Sequence, residues 1–303
     1  MDKARRMATA TGALAILFWS CLALLTSLSR EIPTFEALAI TFAIGAVTLF
    51  LCFLPRRGVM GIARAFAKWP LRAWALAISG IFVYHALYFI AIRLAPAGPV
   101  TIINYLWPLA IVILAGVLPG GDSRLGWPQL VGGVIGFGAT VLLVGFGGIA
   151  LGGDALAGYG CALACALVWG LYSVLNNRIG ATGSEPIIGV CVAVALLGAI
   201  GHFAAGETFV MPDGGAALSL LLLGVGPVGA AFAAWDHATK RGDIAVLGAL
   251  SYATPPLSMI LLVAAGTAEP SWRLALATLL VVAGAALAAI PGGARKLRVR
   301  PAD

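Results

Sequence analysis

At 303 residues, 61% hydrophobic and only 10% charged, the chain falls far short of the roughly 25% charged residues that typify a soluble domain. Its surface must therefore face hydrocarbon, and an all-α integral membrane protein is expected. The net charge of +7 raises nucleic acid as a partner, but the positions of the charges account for it without a polyanion.

Apolar stretches of about 20 residues, the length that crosses a bilayer as a helix, fall at 7–28, 34–54, 73–93, 98–118, 127–146, 156–178, 186–204, 215–238, 245–265 and 272–290. The first has a basic lead (Lys3, Arg5, Arg6) but is too long for a leader's apolar core and is followed by no convincing cleavage site, so it reads as a retained helix. Loops are short, which leaves one ten-helix bundle without an inserted soluble domain. With the N-terminus inside, Lys and Arg cluster on the cytoplasmic side. They occupy the N-terminal tail, the group Arg56, Arg57, Arg64, Lys68 and Arg72, then Arg124, Arg178, Lys240 and Arg241, and finally Arg295, Lys296, Arg298 and Arg300. Only Arg30, Arg93 and Arg273 fall outside. That bias predicts two cytoplasmic termini in a multi-pass protein of the inner (plasma) membrane.

The two halves repeat. Tyr88, with Tyr105-Leu106-Trp107-Pro108 after it, returns 147 residues later as Trp235 with Tyr252-Ala253-Thr254-Pro255. Phe18-Trp19-Ser20 matches Val168-Trp169-Gly170, and Gly136 to Ala139 matches Val282 to Ala285. The repeats are assigned to residues 1–150 and 151–303. Because five spans make each unit, the second copy is expected upside down. Inverted repeats with broken helices at mid-membrane mark secondary transporters and alternating access. The glycines of the fifth span, Gly132 and Gly136 among them, suit close helix packing, so spans five and ten are expected to be scaffold, either an internal seam or a dimer surface.

Counting inward from the span ends places Trp19, Tyr84, His85, Trp107, Trp169, Phe232 and Thr254 near the bilayer centre. Tryptophan ordinarily sits at the interfaces, so a group at mid-depth predicts an aromatic cavity, with core packing as the bland competitor. His85 is the one ionisable group at that depth; it either contacts a substrate carboxylate or amine or bonds a neighbouring carbonyl. Pro108 and Pro255 each remove a helix donor and free the carbonyls of Asn104 and Ser251, and with Pro227 they are the predicted hinges. The expected substrate-binding set is Trp19, Tyr84, His85, Tyr88, Asn104, Trp107, Trp169, Phe232, Ser251 and Tyr252. Asp236, His237, Lys240 and Arg241 read as an inner-gate or loop cluster, with surface pairing the default. The five cysteines lie in apolar spans; Cys161 and Cys165, one turn apart, read as packing residues. No metal site, no cofactor and no catalytic residue is expected, since the hydrolase, nucleotide-binding and zinc-protease motifs are missing from the sequence.

The pattern Ala95-x-x-Gly98-Pro99-Val100 leading to Tyr105-x-x-Pro108, set in ten spans, resembles the drug/metabolite transporter superfamily, in particular its EamA-type ten-helix exporters. Tyr84-His85, Asn104 to Pro108 and Trp169 resemble the aromatic amino acid exporters of that group. The resemblance implies a basket of ten helices with spans five and ten set apart. It also implies export of aromatic or bulky neutral amino acids from the cytoplasm by a protein that is not an enzyme. The residues alone leave open another cargo such as threonine, a purine or a nucleoside, and a non-transporting scaffold or sensor. The oligomeric state is likewise open, a monomer included.

Overall fold

The computed structural model describes residues 3–118, 126–144, 152–179 and 182–288, and every regular element among them is helical. In chain order the helices are α1 (Lys3–Leu28), α2 (Thr34–Lys68), α3 (Leu71–Leu94), α4 in two pieces (Ala97–Asn104 and Trp107–Val117), α5 (Trp127–Val144), α6 (Gly153–Ile179), α7 (Ile187–Ala204), α8 (Gly214–Arg241), α9 (Ile244–Ala264) and α10 (Trp272–Ala288). Eight are long and apolar enough to cross a bilayer, and α5 and α10 are shorter apolar helices. Met7, Leu17, Val47, Leu51, Leu196, Phe203 and Val282 point outward, as they must where lipid rather than water is the solvent. The protein is a multi-pass, all-α membrane protein. Arg124, the basic group at 295–300 and the expected repeat boundary at 150 and 151 lie outside the described residues.

The helix bounds match the expected spans except in α2, which runs well past residue 54. Behind Pro55 the backbone turns at Gly58, whose φ of 61° is left-handed and costs a residue without Cβ little. Residues 59–68 then continue as a short helix. Ile62 is buried there, while Arg64 and Lys68 stay exposed.

Alternating helices give the bundle two ends. One, the basic face, carries Arg5, Arg57, Lys68, Arg72, Arg178, Lys240 and Arg241; the other, the far face, carries Arg30, Glu31, Arg93, Glu207 and Arg273. Helix contacts come in matched sets. α3 packs along α6 as α8 packs along α1, while α2 meets α7, α4 meets α9 and α5 meets α10, each with its own repeat counterpart. The α5–α10 contact is an internal seam. A Cβ on Gly284 would meet the Gly132 carbonyl at 2.7 Å, and beside this seam one on Gly136 would meet the Tyr252 side chain of α9 at 2.5–2.7 Å. Those distances are open only to glycine.

Besides the breaks of α1 at Cys21 and α2 at Gly58, three helices are broken at a proline expected to break them. α4 is interrupted by a turn at Tyr105 and Leu106, and Pro108 opens its second piece, where a missing N–H costs nothing. α9 narrows to a 3₁₀ turn over Ser251–Ala253, after which Pro255 and Pro256 begin the next piece. α8 widens instead: Gly224–Ala230, around Pro227, is a π-helix seven residues long. This wide stretch lies against α2, where Gly45 approaches Val228 and Gly229. The equivalent contact of α3 with α7 is much slighter, so the two halves are not in the same arrangement.

Candidate functional site

Four indoles meet at the centre of the bundle. Trp19 (α1) has ring centroids 6.3 Å from Trp107 (α4), 5.6 Å from Trp169 (α6) and 5.1 Å from Trp235 (α8). The remaining pairs among the four lie at 6.0–6.3 Å. Phe232, one turn before Trp235, packs edge-on against Trp19 and Trp169 at 6.0 and 5.8 Å. Edge contacts of this kind suit the aromatic quadrupole. Because the rings touch one another, they form a packed floor, and a ligand has no room between them. The Trp19 indole N–H donates to the Pro227 carbonyl at 3.0 Å, which ties α1 to the wide turn of α8.

On the far-face side of this floor the side chains change character. Tyr84, His85, Tyr88 and Phe89 of α3 are only half-buried. Tyr84 touches Trp169 at 5.3 Å, His85 touches Phe232 at 6.4 Å, and Tyr84 and His85 touch each other at 5.3 Å. Tyr84 and Tyr88 stack in parallel at 6.4 Å. His85 Nδ1 lies 2.7 Å from the Ile81 carbonyl. Since a carbonyl only accepts, that nitrogen carries the proton. Asn104 is nearly covered. Its Nδ2 donates to the Tyr84 hydroxyl at 3.1 Å, and the Cys165 thiol reaches both its Oδ1 and the Tyr84 carbonyl at 3.3 Å.

On the basic-face side the floor is sealed. The Trp235 indole N–H donates to Ser173 Oγ at 3.1 Å. One helical turn further, Asn176 Nδ2 donates to Asp236 and to Thr239 Oγ1, each at 3.0 Å. Lys240 Nζ lies 2.8 Å and 2.9 Å from the two Asp236 oxygens, and both side chains are 0% exposed. The ammonium also approaches the Gly183 carbonyl at 3.4 Å and stands 5.1 Å from the centre of the Trp69 ring. Outside this pair, Arg57 binds Glu185 at 2.6 Å, Arg178 and Arg241 donate to the carbonyls of Leu118 and Thr182, and Arg5 binds Asp243 at 3.1 Å. The default reading of Asp236 and Lys240 as a surface pair is therefore overturned. Their helix is held inside the bundle by α6 and the residue-69 turn, so both charges face inward.

At the far face one carboxylate gathers three elements. Glu207, past the end of α7, accepts from the backbone N–H groups of Phe35 and Glu36, from Arg93 at 3.3 Å and from His202 at 3.0 Å. It thus caps the start of α2, a favourable place for negative charge.

Of the residues expected to bind substrate, the fold gathers Trp19, Tyr84, His85, Tyr88, Asn104, Trp107, Trp169 and Phe232 into this assembly. It does not bring Ser251 and Tyr252 there. Ser251 is fully buried with its hydroxyl returned to the Leu247 carbonyl, and the Tyr252 ring packs away from the floor among Gly136, Ala139, Ala277 and Val281. The 3₁₀ turn over residues 251–253 leaves Tyr252 against the α5–α10 seam. Pro108 and Pro227 adjoin the floor, and Pro255 opens the second piece of α9. Trp235 enters the sequence pattern only as the repeat mark of Tyr88. Its spacing one turn after Phe232 is the signal that could place it on the floor.

Comparison with known proteins gives a consistent picture. The model of the EamA-like transporter family matches twice, over residues 7–145 and 156–290. The chain is similar to the aromatic amino acid exporter YddG of Ancylobacter novellus, at 42% identity over 288 residues that cover 94% of this chain and 98% of that one. A solved crystal structure at 42% identity superposes with a TM-score of 0.88, covering 95% of this chain and 98% of its own. Two family matches that between them span both sets of five helices leave one conclusion: the chain belongs to the EamA-like transporter family.

Proposed function

We propose that this protein exports aromatic, and other bulky neutral, amino acids from the cytoplasm by alternating access. The observation that carries this reading is the aromatic floor, which meets half-exposed tyrosine and histidine on one side and a sealed polar network on the other. An apolar ring can rest on such a floor, while its neutral surround suits a zwitterion better than a phosphate or a quaternary cation. Similarity to YddG over nearly the whole chain supports the cargo class.

The excess of Lys and Arg on the basic face supports a cytoplasmic assignment for that side, in an inner (plasma) membrane with both termini inside. On that assignment the described conformation is closed inward. The two repeats, residues 1–150 and 151–303, would exchange roles about the floor, with Pro108, Pro227 and Pro255 as the bending points. The unequal contacts of α2 with α8 and α3 with α7 are what one member of such an exchanging pair should have.

Purified protein in vesicles preloaded with tryptophan or phenylalanine tests this by counterflow of labelled substrate. The expected result is saturable exchange that falls sharply in Trp107→Ala and His85→Ala at normal expression. Wild-type vesicles that exchange no amino acid overturn the reading.

A further inference from the structure

The geometry points to a head-group site of defined polarity: the Tyr84 hydroxyl is a hydrogen-bond donor for the substrate carboxylate, and His85 Nε2 is an acceptor for its ammonium. Asn104 and Cys165 act as positioning residues behind Tyr84. This rests on the export reading above and deepens it, because it assigns which end of a zwitterion meets which side chain.

Each polarity is set by the bonds the group already makes. Tyr84 Oη accepts from Asn104 Nδ2, so its lone pair is engaged and its own proton is the group left to give. The direction of that bond depends on the orientation of the Asn104 amide. Cys165 Sγ lies 3.3 Å from both Asn104 Oδ1 and the Tyr84 carbonyl; its one proton, shared between these two oxygens, favours the carbonyl end of the amide toward α6 and the NH₂ end toward Tyr84. His85 is the reverse case. Its Nδ1–H is given to the Ile81 carbonyl, so in the neutral ring Nε2 holds only a lone pair. Two adjacent residues of one helix therefore offer opposite hydrogen-bonding polarity, with ring centroids 5.3 Å apart.

Both groups also touch the floor. Tyr84, His85, Phe232 and Trp169 form a closed quadrilateral with sides of 5.3, 6.4, 5.8 and 5.3 Å. A substrate held by its α-carbon substituents at Tyr84 and His85 lays its side chain on Phe232 and Trp169. Such a site rejects molecules lacking either end, because a buried polar group left without its partner is penalised.

The test is competition against labelled tryptophan exchange by tryptamine, which lacks the carboxylate, and by indole-3-propionate, which lacks the amine. In wild-type vesicles each is expected to compete at least about tenfold less well than tryptophan, the scale of one lost charge-assisted hydrogen bond. Tyr84→Phe is expected to erase the preference over tryptamine and keep that over indole-3-propionate; His85→Phe should do the reverse. Asn104→Leu should weaken the first preference by raising KM, and Cys165→Ser should retain it where Cys165→Ala does not. If both variants weaken all three ligands equally, or swap the two preferences, the inference fails while export stands. Should either variant not insert, wild-type protein that ranks the three ligands equally overturns it on its own. Wild-type vesicles without tryptophan flux overturn this inference together with the export reading.

Discussion

The Asp236–Lys240 pair lends itself to a quantitative test of the sealed basic face. Both side chains are 0% exposed, and both carboxylate oxygens lie within 2.9 Å of the ammonium. Removing one partner of such a pair strands a charge in low dielectric, at a cost of about 3–5 kcal/mol. Asn176 and Gly183 already engage Asp236 and Lys240 respectively, and one neutral amide or carbonyl cannot replace a counter-charge. If the stranded charge is hydrated only when the basic face opens, Asp236→Ala shifts the closed–open balance by about a hundredfold to a few thousandfold. Two readouts track that shift: thermal unfolding in detergent, and alkylation of a cysteine placed at the buried Ser173. Each single alanine variant is expected to melt earlier and label faster than its parent. Asp236→Leu combined with Lys240→Met should recover most of the loss, since it removes both charges together. Single variants that lose less than about 1 kcal/mol, the range of a solvated pair, with labelling unchanged, would refute the sealed face.

Other consequences can be checked more simply. Gly136→Val places methyl groups against the fully buried Tyr252 ring and is expected to destabilise the protein by about 1–3 kcal/mol. Gly138→Ala, with nothing within 4 Å of its Cβ, should melt no earlier than the parent in the same assay. Glu207→Ala removes the cap of α2 together with the partners of Arg93 and His202; a loss of about 1.5–3 kcal/mol is expected from its charge-assisted bonds, read as a lower melting temperature. Trp107→Phe keeps a ring on the floor and should preserve most tryptophan exchange, whereas Trp107→Ala should abolish it; equal activity in the two would mean that the ring is dispensable.

Periodicity and depth are the signals that this sequence carries legibly. Span positions are set by bilayer thickness, whereas the breaks at Cys21 and Gly58 had no apolar signal to announce them. Mid-depth tryptophans were legible because their position contradicts the usual interfacial preference. Side-chain direction was not. Ser251 and Tyr252 share the depth of their repeat counterparts, yet at the 3₁₀ turn Ser251 bonds back to Leu247 and Tyr252 packs at the α5–α10 seam. Trp235 and the Asp236–Lys240 pair were hidden for a related reason. Near the end of a span a polar residue can face either water or the bundle, and the π-helical stretch upstream alters the face on which each residue emerges.

That wide stretch of α8 has a further consequence. A π-turn accommodates more residues per revolution than an α-turn, so Gly224–Ala230 holds slack in the helical winding. Were the slack taken up by one residue, everything after Ala230 would revolve by roughly 100°, the angular step of a single α-helical residue. Trp235 would then swing off the floor, and Ala234 before it would move toward its place. Such winding and unwinding would let one segment present either a broad ring or a bare methyl group to the same point in the membrane.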